Sequence, residues 1–444
     1  MIKTNEEETG YTLIEPTIKL SKKILIIYPH FPPSNLAGVH RARLFAQHLP
    51  AFGWEPTVLT VDEKYYEEAL DWNLHKLLPA TLRIEKVAAY AVTKPRLAGD
   101  IGLRAFFQLY KKAKSLIRSE GFDFLYIPIP SFYMALLGRK LHAATGIRYG
   151  IDYIDPWVHQ FPGSERTFSR HWFSTKLAAF LEPIAIKKAS LITGVAEGYY
   201  KDVLTRNPQL QQVITGAMPY GGEKADHEQL VNLDLKPYLF PAISGKFRLV
   251  YAGAFLPKAI GPLEAMFKAI SAHKIGFRQI EFHFIGTGKT PDDPTGFNIR
   301  ELAMRYGLWE DIVYEYPKRI PYLDVLMHLS VADAVFILGS TEPHYTPSKV
   351  YQGVLSAKPI FAILHQESTA VEILTTSRAG EVLSFNGTSD LAAIERNFVE
   401  SFFEFKLMAQ RFNPGQVDQQ LFDKYSAYNV TGQLAGLLDK AVAK

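Results

Sequence analysis

KILIIY, residues 23–28, is a continuous apolar run, too short for an ordinary helix and lacking the alternation of a half-exposed strand. Such a run reads as a strand buried on both faces, which a parallel sheet covered by helices provides. It is followed by PHFPPSNLAG and then by VHRARLFAQHLPAFGW, where Val39, Leu44, Phe45 and Leu49 fall at helical spacing. EPTVLT, residues 55–60, is the next strand, so the chain opens as a strand–loop–helix–strand unit.

The alternation continues. Residues 103–118 have a basic helical pattern, 122–128 read as a strand, 134–146 as a helix and 148–154 as a strand. Residues 172–189 read as a long helix containing Pro183, and 190–196 as a strand. Periodicity is then lost over 221–246, a polar stretch with scattered Pro and Gly that suits an interdomain connection. A second series begins at 247. Strands are expected at 247–253, 280–288, 311–316, 334–339 and 359–364, with helices at 263–273, 322–332 and 348–357. A chain of 444 residues is too long for one core and suits domains of about 200 residues each. The expected organisation is a tail (1–22), a first Rossmann-like domain (23–225), a linker (226–246), a second Rossmann-like domain (247–414) and a terminal helical segment (415–444) packing back across the domains. Ligands of such α/β folds sit beyond the carboxyl ends of the strands, here in a cleft between two facing domains.

Composition narrows the chemistry. There is no cysteine, which excludes disulfides, thiol catalysis and Cys-ligated metals and fits a cytoplasmic protein. The net charge of +4 is too small to argue for nucleic acid. No metal-ligand spacing such as HExxH occurs, and no metal is expected. The first twenty residues lack the apolar core of a signal peptide, and no run is long enough to span a membrane.

The candidate site residues lie in strand-to-helix loops. Gly38 opens a helix, where a glycine lets phosphate approach the backbone or merely fits a tight turn. YAGAFLPKAIGPLEA (251–265) joins strand to helix through Gly253 and Lys258, the latter a point charge for diphosphate or a solvated surface lysine. In EPHYTPSKVYQGVLSA, Ser348 stands where a helix begins and is a plausible cap, Lys349 adds charge, and Gln352 lies one turn on within reach of a ribose hydroxyl. Tyr345 is positioned to pack against donor or acceptor, and Glu342 lies in the same stretch. IDYIDPWVHQ ends a strand with Asp152 and Asp155. Asp155, beside Trp157, either orients an acceptor hydroxyl or caps the following turn. His30, His40 and His159 fall in loops on the expected cleft side.

In this order the segments resemble family-4-type glycosyltransferases: KILIIYPHFPP…AGVHRARLFAQHLPAFGWEPTVLT, IDYIDPW, LVYAGAFLPK, FHFIGTG, VADAVFIL with Asp333, and TPSKVYQGVLSAKPI. The resemblance spans about residues 23–440 and implies a GT-B fold, an α/β architecture of two facing doubly wound domains. It implies retaining transfer of a sugar from a nucleotide sugar (UDP or GDP) to a glycan or lipid-linked acceptor in surface polysaccharide synthesis, with no cofactor or metal required. Under it, Asp155, Lys258 and Lys349 are candidate catalytic residues. Gly38, Gly253, Glu342, Tyr345, Ser348 and Gln352 are on the donor side, and His40, Trp157 and His159 on the acceptor side. Three positions depart from the family pattern, Ile154 and Ala254 where arginine is usual and Gln352 where the ribose-binding glutamate is usual, and the strand end IPIPSFY (127–133) lacks the family's usual histidine. A non-catalytic homologue serving as a scaffold of a glycan-assembly complex is the alternative these departures motivate. A nucleotide-sugar epimerase or phosphorylase is a further one. Segments 104–118 and 168–189 mix Lys, Arg, Trp and Phe on helical patterns, suiting either peripheral contact with an anionic membrane or core-packed helices with solvated basic faces.

Overall fold

The computed structural model describes residues 21–93, 99–158, 167–210, 212–242, 245–290, 292–343, 345 and 347–443. Two parallel sheets form the frame. The first holds β1 (Lys22–Ile27), β2 (Trp54–Val61), β3 (Arg83–Val87), β4 (Phe124–Ile129), β5 (Arg148–Tyr153), β6 (Leu191–Gly194) and β7 (Ile214–Ala217), in the order β3-β2-β1-β4-β5-β6-β7. The second holds β8 (Phe247–Ala252), β9 (Ile280–Ile285), β10 (Val313–Tyr316), β11 (Ala334–Leu338), β12 (Ile360–His365) and β13 (Gly380–Phe385), in the order β10-β9-β8-β11-β12-β13. In both, strand order reverses beside the first strand, between β1 and β4 and between β8 and β11, which opens a crevice at the carboxyl ends.

The Ile-rich runs are central strands because both faces are covered. Leu25 and Ile27 join the core on one face of the first sheet, Ile24 and Ile26 the core on the other. The same alternation splits β12, with Phe361 and Ile363 on one side and Ile360, Ala362 and Leu364 on the other. Three strands, β3, β7 and β13, go beyond the apolar-run reading. All three lie at sheet edges, where one side has no neighbour and the sequence stays short or polar (RIEKV, ITGA, GEVLSF). A long helix, Leu391–Ala409, is also added; Ile394, Phe398, Phe402 and Phe405 bury one stripe of it against the second sheet.

The first sheet is covered on one face by helices Ile101–Glu120, Ala135–Thr145 and Arg170–Ile186, and on the other by Ala37–His48 and Ala427–Ala443. The last helix places Val430, Leu434, Leu438 and Ala441 in the same core as Ile24 and Phe45. The polar stretch between β7 and β8 is more ordered than a bare connection. It contains the short helix Lys224–Glu228, and Asp226 is buried in a two-pronged ion pair with Arg43 (3.0 and 2.5 Å). The chain crosses between the sheets twice, side by side: Gly222 N–H donates to Tyr425 O (2.9 Å), and Ala427 N–H donates to Gly222 O (2.8 Å).

Candidate functional site

A cavity of about 310 Å3 lies beyond the carboxyl ends of both sheets. The first sheet contributes Asn35, His40, Arg43 and Tyr220. The second contributes Gly253, Ala254, Gly286, Arg319, Tyr322, Tyr345, Ser348, Lys349 and Gln352. The two halves touch at its edge. Asn35 Nδ2 donates to Ile320 O (3.0 Å), Tyr322 N–H to Asp71 Oδ2 (2.7 Å) and Tyr322 Oη to Asp226 Oδ2 (2.9 Å).

Lys349 is one of the two cations, with Arg319, that the second sheet brings to the cavity lining. Its ammonium lies 4.7 Å over the Tyr251 ring and 3.4 Å from Ala254 O. Among the described residues no carboxylate comes within ion-pair distance of it. Gly253, at φ +127°, makes room for this side chain: a Cβ there would meet Lys349 Cε at 2.5 Å. Burial pushes the Tyr345 phenol up to about 12, so it is a neutral donor. His227 Nε2 and Gln352 Oε1 lie 2.8 Å apart, and burial lowers the histidine's pKa. A neutral ring donating there occupies the amide oxygen and leaves the amide N–H groups for a ligand.

On the opposite wall His40 lies against Tyr322, ring centroids 4.3 Å apart and planes tilted by 45°. Burial drives its pKa down to about 3, with the Arg43 charge adding to the shift, so the ring is neutral. Its Nδ1 is buried without a protein partner, as is Arg43 Nε. Orphaned polar atoms in a cavity wall are unusual and mark places where a ligand or water completes the bonding.

The cavity therefore gathers His40, Gly253, Tyr345, Ser348, Lys349 and Gln352. Gly38, Asp155, Trp157, Lys258 and Glu342 are not part of its lining. Ser348 stands before a helix of only seven residues, and its hydroxyl makes no cap bond, contrary to the expectation. Lys258 and Glu342 pair with each other (2.8 Å), half exposed and outside the cavity lining, so the lysine's charge is already met. Gly38 is not a ligand approach: a Cβ there would sit 2.1 Å from Tyr28 Oη, so the glycine makes room for that ring. Trp157 is 5% exposed, stacked on Phe132 (6.1 Å, 3°) and edge-on to Tyr133, which makes it core rather than acceptor surface. His159 lies outside the described residues.

The two aspartates of IDYID separate cleanly. Asp152 is the next-to-last residue of β5, fully buried, and accepts from Arg41 Nε (2.6 Å), Arg41 Nη2 (2.9 Å) and Thr193 Oγ1 (2.8 Å). Asp155 is past the strand and exposed. After burial, its charge is the next cause holding the hydroxyls of Tyr28, Tyr199 and Tyr220 in their protonated form. Arg319, after β10, has no counterpart in the sequence reading. It sits in PKRIP, a loop with no periodicity to mark it.

No protein-family model matches the chain, and no curated protein matches it in sequence. Solved structures do match along nearly its whole length. A glycosyltransferase from Rickettsia africae ESF-5 is 14% identical, over 95% of this chain and 99% of that one, with a TM-score of 0.61. Anabaena Alr3699/HepE, solved in complex with UDP and glucose, is 15% identical over 94% and 100%, with a TM-score of 0.58. The N-terminal domain of Candida albicans trehalose-6-phosphate phosphatase is 13% identical over 98% and 99%, with a TM-score of 0.62. The fold is GT-B. At these identities the likeness is one of architecture, two facing sheets with a cleft between them. Within that GT-B frame, the cleft chemistry is read from this chain's own side chains. Among the described residues, no three His, Asp or Glu side chains converge as a metal centre needs.

Proposed function

We propose that the protein is a retaining glycosyltransferase of the family-4 type, taking a nucleoside diphosphate sugar and glycosylating a lipid-linked acceptor in surface polysaccharide assembly. The observation that carries the reading is Lys349, a cation without a carboxylate partner held over the Gly253 turn at the cavity wall. A diphosphate is the natural anion for it, and Gln352 with its His227 partner suits the ribose. In the transfer, the bond from the anomeric carbon to the β-phosphate oxygen breaks as the acceptor oxygen bonds to that carbon. The acceptor proton passes to the departing diphosphate. Lys349 stabilises the charge that develops there, and Asp155 orients the acceptor hydroxyl. HepE, solved with UDP, makes uridine the first nucleotide to try.

Thermal denaturation with UDP-, GDP- and ADP-sugars tests the donor. A ligand at a hundred times its Kd adds about 2.7 kcal/mol, a rise of several degrees. The expected result is a rise with one nucleotide family and release of that nucleoside diphosphate with retained anomeric configuration. Binding without turnover in the presence of acceptor extracts would favour a scaffold role, and no binding by any nucleotide would sink the reading.

A lipid-linked acceptor is favoured by the outer face of the first sheet. Helix Arg170–Ile186 exposes Phe173, Leu177, Phe180 and Ile184 on one stripe, preceded by Phe168, 76% exposed. Lys176, Lys187 and Lys188 are exposed beside them, whereas the helix's one carboxylate, Glu182, is buried and bonded to Arg206. Leu103, Phe107, Lys111 and Arg118 of helix Ile101–Glu120 continue the same character. Exposed phenylalanines ringed by cations suit an anionic lipid interface. No helix among the described residues is long and apolar enough to cross a membrane. Flotation should recover the protein with vesicles containing about a third phosphatidylglycerol, less with zwitterionic vesicles or in high salt. The double change Phe173→Ser and Phe180→Ser should abolish recovery; equal flotation of both proteins would remove the surface from the mechanism.

A further inference from the structure

We propose that Arg319 supplies the second cation of this anion-binding corner, replacing from the loop after β10 the charge that Ala254 does not provide, and that it ties the bound anion to the opposite sheet. The proposal builds on reading the cleft as a nucleoside diphosphate site.

Arg319 lines the cavity and makes one hydrogen bond among the described residues, from Nη1 to Asn35 O (3.0 Å). A guanidinium carries five N–H donors, so most are unspent. The opposite charges that act on it are Asp292 and Glu68, and among the described residues neither forms an ion pair with it. Glu68 is already bonded to His30 (2.8 Å) and Ser34, and Asp292 accepts from Ala69 N–H (3.4 Å). Burial, the largest influence on Arg319, lowers its pKa, the mark of a charge not fully compensated. Arg319 is half-buried, and withdrawing part of a cation from water without a paired anion costs free energy that a bound anion would offset.

Backbone geometry brings Arg319 to the same corner as Lys349. A Cβ on Gly286, at φ +70°, would lie 3.7 Å from Arg319 Cα and 4.0 Å from Gly253 Cα. Gly253 in turn is the residue whose missing Cβ admits Lys349. The glycine turns after β8 and β9 therefore lie beside both residues, with no side chain of their own to fill the space. A point charge and a planar fork on one corner match a diphosphate, whose oxygens accept from both. The remaining Arg319 bond goes to the main chain of Asn35, and Asn35 Nδ2 returns a bond to Ile320 O. An anion on Arg319 is thus one residue removed from the loop that follows β1 of the first sheet.

Inorganic pyrophosphate and uridine are the probes, titrated calorimetrically into the full chain and into Arg319→Gln and Arg319→Lys. The expected result is pyrophosphate affinity reduced about tenfold or more in Arg319→Gln, the scale of one charge-assisted pair. Arg319→Lys should recover part of it, and uridine affinity should be unchanged. Each variant's unliganded melting temperature reports whether it folds, and the lysine variant keeps the test open if the glutamine variant does not. Equal pyrophosphate binding by wild type and both variants, or none by wild type, overturns the assignment. Arg319-dependent pyrophosphate binding without turnover of any nucleotide sugar upholds it and sinks the transferase reading instead.

Discussion

Lys349→Ala is expected to lower kcat/KM for sugar transfer by about 100-fold or more, the usual cost of removing one preorganised group at a developing oxyanion. The leaving diphosphate gains charge as the sugar departs, so an ammonium fixed beside it stabilises the transition state more than the ground state. Fixing is what the local structure provides. The side chain runs across a glycine that cannot obstruct it, and its head rests on the Tyr251 ring near Ala254 O. The fold itself asks little of this lysine, whose one hydrogen bond is long at 3.4 Å. Melting temperature should therefore move by only a degree or two. Lys349→Met keeps the hydrocarbon over Tyr251 without the charge, and it should be about as impaired as the alanine variant. Activity within threefold of wild type in either would take Lys349 out of the chemistry.

The second large effect separates two carboxylates three residues apart. Asp152→Ala should destabilise the protein by about 3–5 kcal/mol, because it strands a buried guanidinium. Arg41 keeps its bonds to Met218 O and Pro219 O but loses both prongs to Asp152, and Thr193 loses its acceptor. Asp155→Ala removes an exposed carboxylate at the strand tip. Its stability cost should be well below that of Asp152→Ala, while transfer to acceptor falls and donor binding holds. Urea denaturation of both variants, with donor titration of the second, reads the distinction. Equal losses of stability would show that the two aspartates share one structural role.

What could be read from the sequence follows from which side of a strand is covered. Central strands are buried on both faces, so KILIIY and AVFILG announce themselves as unbroken apolar runs. RIEKV and GEVLSF do not, because an edge strand need not be apolar. Loop cations followed the same logic. Lys349 could be read because it opens a helix after a strand, within a recognisable pattern. Arg319 could not, since its meaning depends on where the PKRIP loop comes to rest against Gly286 and Asn35. Trp157 and Gly38 were legible as unusual residues but not as to partner. An aromatic beside a strand end looks the same whether it meets a sugar or Phe132, and the space Gly38 leaves belongs to Tyr28, ten residues earlier.

The paired crossing at Gly222 and Tyr425–Ala427 has a consequence for exchange between proteins. Everything from β8 to Phe422 enters and leaves through adjacent positions, so it behaves as a cassette with a single doorway. Two splices a few ångströms apart would transplant the half that carries Lys349 and Gln352 without cutting the helix Ala427–Ala443 from the core it completes. Recombination at that doorway would let a lineage trade the half built on the second sheet while keeping the half built on the first.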